Sequence, residues 1–300
     1  MKLGIVGLGL IGGSIGLELS AIRHHPAQFA DRLAKISQGE PWSNLEILGV
    51  SRRQSTGERG VALGIVDTAS TELNSLTDAD LIAICTPIGS IVSTVEQLVP
   101  YLKPNTVITD VGSVKQPIID AIAPLWPNFI GGHPMAGTAD QGIEAALLNL
   151  FLDKPYVLTP TPHTSPQAIN QVSGLIHLLG ARLIQCSPAD HDQAVAWISH
   201  VPVMVSAGLI TAIQMESDAS VLQLAYQLAS SGFRDTSRVG GGNPELGTMM
   251  AQYNSPAIAR ALRLYRQMLD QILNAIEQQN WPAIETILTQ AQQERQKFNA

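Results

Sequence analysis

The run Lys2-Leu3-Gly4-Ile5-Val6-Gly7-Leu8-Gly9-Leu10-Ile11-Gly12-Gly13-Ser14-Ile15-Gly16 decides the architecture. A short apolar stretch breaks into the spacing GxGxxG at Gly7, Gly9 and Gly12, then continues with helical periodicity. Strand, tight turn and helix in that order form the arrangement whose helix N-terminus holds the pyrophosphate of a dinucleotide. Gly7 permits the turn, Gly9 lets the backbone approach the phosphates, and Gly12 lets the helix pack close against the strand. Spare N–H groups at the helix start favour an anion there. Leu10 and Ile11, inside the motif, join the same expected cofactor contact.

The same stretch can be mistaken for a leader or a membrane span, because residues 3–22 hold one charge, Glu18. Six glycines in that window make it a poor anchor, and no small-residue cleavage site follows. A buried strand and its helix explain the run better. The 300 residues predict about two domains, and 45% hydrophobic with 14% charged residues allow large cores. A net charge of −7 without a basic stripe argues against nucleic acid as partner. Two cysteines, Cys85 and Cys186, make neither a disulfide framework nor a metal site, so a reducing cytoplasm and no metal are expected.

Apolar strands alternate with helical segments through residue 187. Expected strands are Lys2–Val6, Glu46–Val50, Leu81–Cys85, Thr106–Asp110, Phe129–Gly131, Tyr156–Thr159 and Arg182–Gln185. Their short, two-side-buried character predicts a parallel sheet with helices on both faces and ligands at the carboxyl ends of its strands. From Pro188 the pattern is helical only, over Asp190–Met215, Ser220–Ser230, Pro256–Gln279 and Pro282–Phe298. The predicted fold class is therefore α/β: a Rossmann-type doubly wound sheet over 1–187, then an all-helical dimerisation domain over 188–300. The segment His24–Asn44 is long for a link and is expected to be an insertion with one extra helix. No regulatory domain is expected after the last helix.

An NAD-binding second strand usually ends in an acid that accepts from the ribose hydroxyl. Here the strand ends Val50-Ser51-Arg52-Arg53-Gln54-Ser55-Thr56. The acid is missing, and Arg52 and Arg53 stand where a 2′-phosphate would lie, with Ser51 nearby as a hydroxyl donor. NADP is the expected cofactor; a solvated basic loop is the alternative. Thr86 and Pro87, after the strand ending at Cys85, complete the expected cofactor set.

Three more clusters carry chemistry. They are Asp110-Val-Gly-Ser113-Val-Lys115, then Gly131-Gly-His133-Pro-Met-Ala-Gly137, then a helical-region set. That set comprises Asp190-His191-Asp192, Ser199-His200-Val-Pro202, Gly232-Phe-Arg234-Asp-Thr-Ser-Arg238 and Gly240-Gly-Gly-Asn243-Pro-Glu245. Behind an N-terminal GxGxxG, this ordered set resembles the prephenate/arogenate dehydrogenases of tyrosine biosynthesis. The likeness is greatest to NADP-dependent arogenate dehydrogenases of cyanobacterial type. It covers nearly the whole chain, with His24–Asn44 as the departure.

The resemblance implies an oxidoreductase that converts arogenate to tyrosine with release of carbon dioxide, as a homodimer, with no membrane or nucleic acid. His133 then takes the part of catalytic base. The chemistry asks for one: hydride removal from the hydroxyl-bearing ring carbon develops a carbonyl, and a neutral imidazole suits the departing hydroxyl proton. The carbonyl in turn draws electrons from the opposite carboxylate, which leaves as carbon dioxide. Ser113 resembles the family serine near nicotinamide and substrate hydroxyl, and is equally placed to cap a helix. Arg234 resembles the arginine that holds a substrate carboxylate; an ion pair with Asp235 is its alternative. His200 matches the family's second histidine, on the substrate side, while Val203 stands where prephenate-using members often carry a further histidine. Lys115 reads as structural, and Asp190 and Asp192 as caps of the long helix, with a place near the amine of arogenate as their alternative. The Gly240–Gly242 loop is placed to close over the site or approach a partner protomer. The same chemistry on prephenate is the second expectation. A non-catalytic NADP-binding sensor is a weaker rival, since both His133 and Arg234 are present. A β-hydroxyacid dehydrogenase is weaker too, since no suitable catalytic lysine pattern is evident.

Overall fold

The computed structural model describes residues 1–36, 41–138 and 140–299. The chain forms two compact units, Met1–Val195 with Gly242–Tyr253, and Ala196–Gly241 with Asn254–Ala300. The first contains β1 (Lys2–Val6), β2 (Glu46–Val50), β3 (Thr68–Ser70), β4 (Leu81–Ile84), β5 (Val107–Asp110), β6 (Phe129–Pro134), β7 (Pro155–Thr159) and β8 (Arg182–Gln185). They make one eight-stranded sheet in the order β3-β2-β1-β4-β5-β6-β7-β8. Helices α1 (Leu10–His24), α2 (Ala30–Leu33), α3 (Gln54–Ala62), α4 (Ile88–Leu98), α5 (Gln116–Ile122), α6 (Pro166–Leu178) and α7 (Pro188–Val195) complete most of this unit.

Period-two alternation assigns each strand's residues to the two faces. Leu3 and Ile5 of β1 enter one core with Ile15 and Leu19 of α1. Val6 enters the other with Ile82 and Ile84 of β4 and with Ile91 and Val95 of α4. Residues of this kind contribute roughly 1.5–3 kcal/mol each when fully buried. In α4 the buried positions are Ile88, Ile91, Val95 and Leu98, one stripe of a 3.6-residue repeat.

Three expectations about the sheet are corrected. It is not wholly parallel: β6 and β7 pair antiparallel, with His133 opposite Val157. The short edge strand β3 was not foreseen; two of its three residues are exposed, so it lacks a buried pattern. The strand expected to stop at Gly131 continues through Pro134, which places His133 within β6 and not in a turn beyond it.

Helices α8 (Val201–Ile213), α9 (Ala219–Leu228) and α10 (Ser231–Ser237) belong to the second unit, as do α12 (Ser255–Glu277) and α13 (Trp281–Gln296). Between them α11 (Pro244–Tyr253) belongs to the first unit, where Tyr253 and Met249 pack at Gly89 of α4. Neither α10 nor α11 was expected, since both are short and lie in glycine-rich sequence. Side-chain caps start α9 and α13: Asp218 accepts from Ser220 and Val221 N–H, and Asn280 from Ala283 N–H. The helix expected over Asp190–Met215 is helical from Pro188 to Ile213, but Ala196–His200 widens into a π turn. Such turns are uncommon and recur at functional sites.

The inserted segment is short helical structure: a 3₁₀ turn over Pro26–Phe29, the single-turn α2, and a 3₁₀ turn over Pro41–Asn44. Residues 37–40 lie outside the described residues. Its anchor is Arg32. The guanidinium pairs with Glu18 of α1, donates to Asn149 Oδ1 at 2.7 Å, and lies 5.0 Å from the Phe29 ring centroid. Glu18 has no solvent exposure and also accepts from Asn149 N–H at 2.6 Å. The insertion thus supplies the counter-charge for the one carboxylate in the N-terminal apolar run. Removing one partner of a buried pair typically costs about 3–5 kcal/mol. Arg32→Ala should therefore lower the unfolding free energy measured in urea titrations by an amount in that range, and adding Glu18→Gln should recover most of it.

Candidate active site

Parallel pairing of β1, β4, β5 and β6 brings their carboxyl ends to one edge of the sheet. The edge therefore gathers Gly7, Thr86, Pro87, Ser113 and His133. Strand β1 lies between β2 and β4, the point at which strand order reverses and dinucleotides bind in folds of this kind.

Gly7 makes the tight turn and Gly12 the close helix contact that the spacing predicted. Gly7 has φ +100°, and a Cβ there would lie 2.6 Å from the Cys85 carbonyl oxygen. A Cβ at Gly12 would lie 2.1 Å from the Gly7 carbonyl oxygen, which forces glycine at the helix–turn contact. Around Gly9 nothing lies within 4 Å of a built Cβ, so its face is open to a ligand. Helix α1 begins at Leu10 and Ile11 with no side-chain cap and no acid in its first turn. Its first N–H groups and dipole are consequently suited to an anion. Thr86 Oγ1 is buried and has no hydrogen-bond partner among the described residues. An orphaned hydroxyl beside an uncapped helix start fits a dinucleotide.

Past β2, Ser51 Oγ accepts from Arg53 N–H at 3.4 Å and shapes the turn into α3. Arg52 and Arg53 are exposed, and no described carboxylate pairs with either. Two guanidinium groups without internal counter-ions are available to an external phosphate.

The base candidate sits on a buried polar scaffold. Asp110, at the end of β5, pairs with Lys115, and neither side chain has solvent exposure. Asp110 accepts from Gly112 N–H at 2.8 Å and from Gly132 N–H at 3.1 Å. The Lys115 ammonium donates to the Gly132 carbonyl at 2.7 Å. Both backbone groups of Gly132, the residue before His133, are thereby held by one ion pair. Burial pushes the Lys115 pKa below the ordinary lysine range, and the Asp110 charge opposes that fall.

His133 is 8% exposed, and its Nδ1 lies 2.8 Å from His191 Nε2. His191 Nδ1 lies 2.7 Å from Asp192 Oδ1. Asp192 also accepts from Lys115 N–H at 2.7 Å and from Gln116 N–H at 2.8 Å. Asp192 thus caps α5, a helix other than its own. Helix α7 is started instead by Ser187, whose Oγ accepts from Asp190 N–H and donates to Asp190 Oδ2. Ser113 lies ahead of the α5 start, whose cap position makes no side-chain bond, so its capping role falls away. His191 drew no role from the sequence; the adjacent His-Asp pair was the available signal, and its connection to residue 133 spans 58 positions.

In the second unit, His200 ends the π turn, is fully buried, and lies 3.1 Å from Asn254 Nδ2 through its Nδ1. Arg234 is exposed on α10 and forms no ion pair with Asp235 or another described acid. A Cβ on Gly240 would lie 2.3 Å from Ala207 N, so that glycine serves close packing on α8. No group of His, Cys, Asp and Glu among the described residues could hold a metal ion.

Fold and site together define a nucleotide-binding oxidoreductase. Residues 40–185 match the family model "Prephenate dehydrogenase, nucleotide-binding domain", and 187–290 match "Prephenate dehydrogenase, dimerization domain". The crystal structure of Synechocystis arogenate dehydrogenase is similar at 49% identity and TM-score 0.85, covering 99% of this chain and 100% of that one. Prephenate dehydrogenase of Bacillus subtilis is 30% identical over 281 residues, 92% of this chain and 70% of that protein. Cyclohexadienyl dehydrogenase of Zymomonas mobilis is 29% identical over 282 residues, 92% of this chain and 88% of that protein. The chain belongs to the prephenate/arogenate dehydrogenase family.

Gly9 and Gly12 should respond differently to substitution. Gly12→Ala should lower the melting temperature and weaken dinucleotide binding together, because the added methyl strikes the Gly7 carbonyl. Gly9→Ala should leave the melting temperature of the ligand-free protein unchanged while weakening binding at least about tenfold, or about 1.4 kcal/mol. Calorimetric titration with NADP and NAD, beside thermal melts, measures both.

Proposed function

We propose that this chain is an NADP-dependent arogenate dehydrogenase, converting L-arogenate to L-tyrosine and carbon dioxide. The observation that carries the substrate assignment is the end-to-end likeness to Synechocystis arogenate dehydrogenase at 49% identity. The cofactor assignment rests on Arg52 and Arg53 at the end of a strand that carries no acid there.

Gly7, Gly9, Gly12 and the α1 start at Leu10 and Ile11 hold the pyrophosphate, Thr86 and Pro87 line the nicotinamide side, and Ser51, Arg52 and Arg53 take the 2′-phosphate. When bound, NADP⁺ supplies the hydride acceptor. His133 accepts the proton of the ring hydroxyl as that carbon becomes a carbonyl, and Ser113 hydrogen-bonds to the same hydroxyl. Electron demand at the new carbonyl drives loss of the opposite carboxylate, and aromatisation makes the step irreversible. Arg234 holds a substrate carboxylate as a charge-assisted fork. His200 is given to the substrate side with it, its ring anchored by Asn254. On this assignment the domains are 1–187 for the cofactor and 188–300 for substrate and dimerisation. Prephenate is the second reading, favoured by the name of the Bacillus relative.

The active form is proposed to be a cytoplasmic homodimer. Leu269, Leu273 and Ile276 of α12 are each 46–53% exposed and lie on one helical face. Apolar surface of that extent marks an interaction site. The run Pro188–Ile213 has the length and apolarity of a membrane span, but it carries buried His191, Asp192 and His200 with partners inside the fold. A lipid-facing helix would not accommodate them so.

Steady-state assays with arogenate and prephenate, each with NADP and NAD, should give the highest kcat/KM for arogenate with NADP. Replacing Arg52 and Arg53 together by Ala should raise KM for NADP far more than for NAD. Charge-assisted bonds of this kind are worth about 1.5–3 kcal/mol. Equal loss with both cofactors would remove the phosphate-reading role. Light scattering at micromolar concentration should give about twice the chain mass of 32.0 kDa; a fully active monomer would refute the dimer.

A further inference from the structure

Buried behind His133 is a linear array that the proposed chemistry has not used. Asp192 Oδ1 lies 2.7 Å from His191 Nδ1, and His191 Nε2 lies 2.8 Å from His133 Nδ1. The two rings meet edge to face, at 73° with centroids 5.1 Å apart. Exposure is 8% for His133, 2% for His191 and 5% for Asp192. Resting on the assignment of His133 as base, we infer that His191 and Asp192 are its positioning residues: a carboxylate–imidazole pair that sets the tautomer of His133 and shares the proton it takes up.

The tautomers follow from donor and acceptor counting. An ionised carboxylate only accepts. Asp192 already accepts from two backbone N–H groups, of Lys115 and Gln116, which hold both of its oxygens in place. His191 must therefore present Nδ1–H to Asp192, and its neutral ring then carries the lone pair on Nε2. That lone pair faces His133 Nδ1, so His133 carries its hydrogen on Nδ1 and its own lone pair on Nε2. The base is consequently aimed by a chain of bonds anchored at the start of α5. When Nε2 takes the substrate hydroxyl proton, the Nδ1 proton remains on His133 or moves to His191 Nε2. In either place the cation is neutralised by Asp192 within the array. No proton is gained or lost beyond the one taken from substrate.

The carboxylate–histidine logic is that of catalytic triads, lengthened here by one imidazole. Three other elements bring titratable groups to this part of the sheet. The Asp110–Lys115 pair brackets Gly132. Tyr156 on β7 and Cys85 after β4 are held neutral, since burial pushes both pKa values up. Asp192 is therefore the acceptor that terminates the array, and it also favours protonated Lys115 through space.

Two variants and one spectrum test the inference. His133→Asn tests the base itself: near-parental turnover would defeat the base assignment and the array with it. With that variant inactive, His191→Phe should lower kcat about 10–100-fold, the usual effect of removing a partner behind a reacting group. KM for substrate and NADP should stay within about threefold. The acidic limb of the kcat/KM profile should move to lower pH, because His133 without the Asp192-backed partner binds its proton less tightly. Parental kcat with an unmoved limb, or a loss confined to thermal stability, would overturn the relay while leaving the base assignment standing. The wild-type protein provides a readout independent of any variant's folding. In ¹⁵N-histidine-labelled protein at neutral pH, His133 and His191 should both show the Nδ1–H tautomer. An Nε2–H tautomer at His191 would overturn the inference.

Discussion

The carboxylate of Asp110 and the ammonium of Lys115, both without solvent contact, tie together the segments that make the edge of the sheet a site. One ion pair engages the loop after β5 through Gly112 and both backbone groups of Gly132 on β6. Three polar demands are met inside an apolar sheet, where each left unmet would cost about 1–3 kcal/mol. The arrangement is also demanding, since neither charge tolerates loss of the other. Lys115 adds a backbone N–H to Asp192, so the same residue orients β6 and the carboxylate behind His191. Position 133 is accurate because the residue before it is held from both sides.

The reversal of direction between β6 and β7 follows the same constraint. A β6 extended to Pro134 needs a partner for its backbone beyond its pairing with β5, which spans only Ile108–Phe129 and Thr109–Ile130. Strand β7 provides that partner over Gly131–Pro134. A histidine in a strand with paired backbone has fewer ways to move than one in a turn. Pre-organisation of this kind favours a proton acceptor whose ring must meet a hydroxyl at hydrogen-bond distance.

The helical unit obeys a different rule. Its buried set is small, with Ala196, Val201, Ile258 and Ala261 at the centre. Large apolar side chains on α9, α12 and α13, among them Leu228, Leu273 and Leu288, remain more than half exposed in the single chain. A helix with one apolar face turned to water has not finished folding its surface, and a second copy supplies the missing face most simply. That demand is consistent with the match of residues 187–290 to a dimerization domain.

Local pattern determined much of this protein. The glycine spacing at Gly7, Gly9 and Gly12, the apolar strands and the change to helical periodicity near residue 188 all act over a few residues, so they were legible in the sequence. The absence of an acid after Val50 was equally plain. Contacts between distant positions were not. The antiparallel β7 depends on how β6 needs to be paired, and β3 is too exposed to leave an apolar signature. Arg32 could not be matched to Glu18 by inspection, because the pair forms only when the insertion folds back on α1. His191 and Asp192 looked like ordinary residues at a helix start, where an acid usually caps its own helix. The tertiary structure sends Asp192 to α5 and His191 to His133, because hydrogen-bond partners are chosen by distance in space and not along the chain.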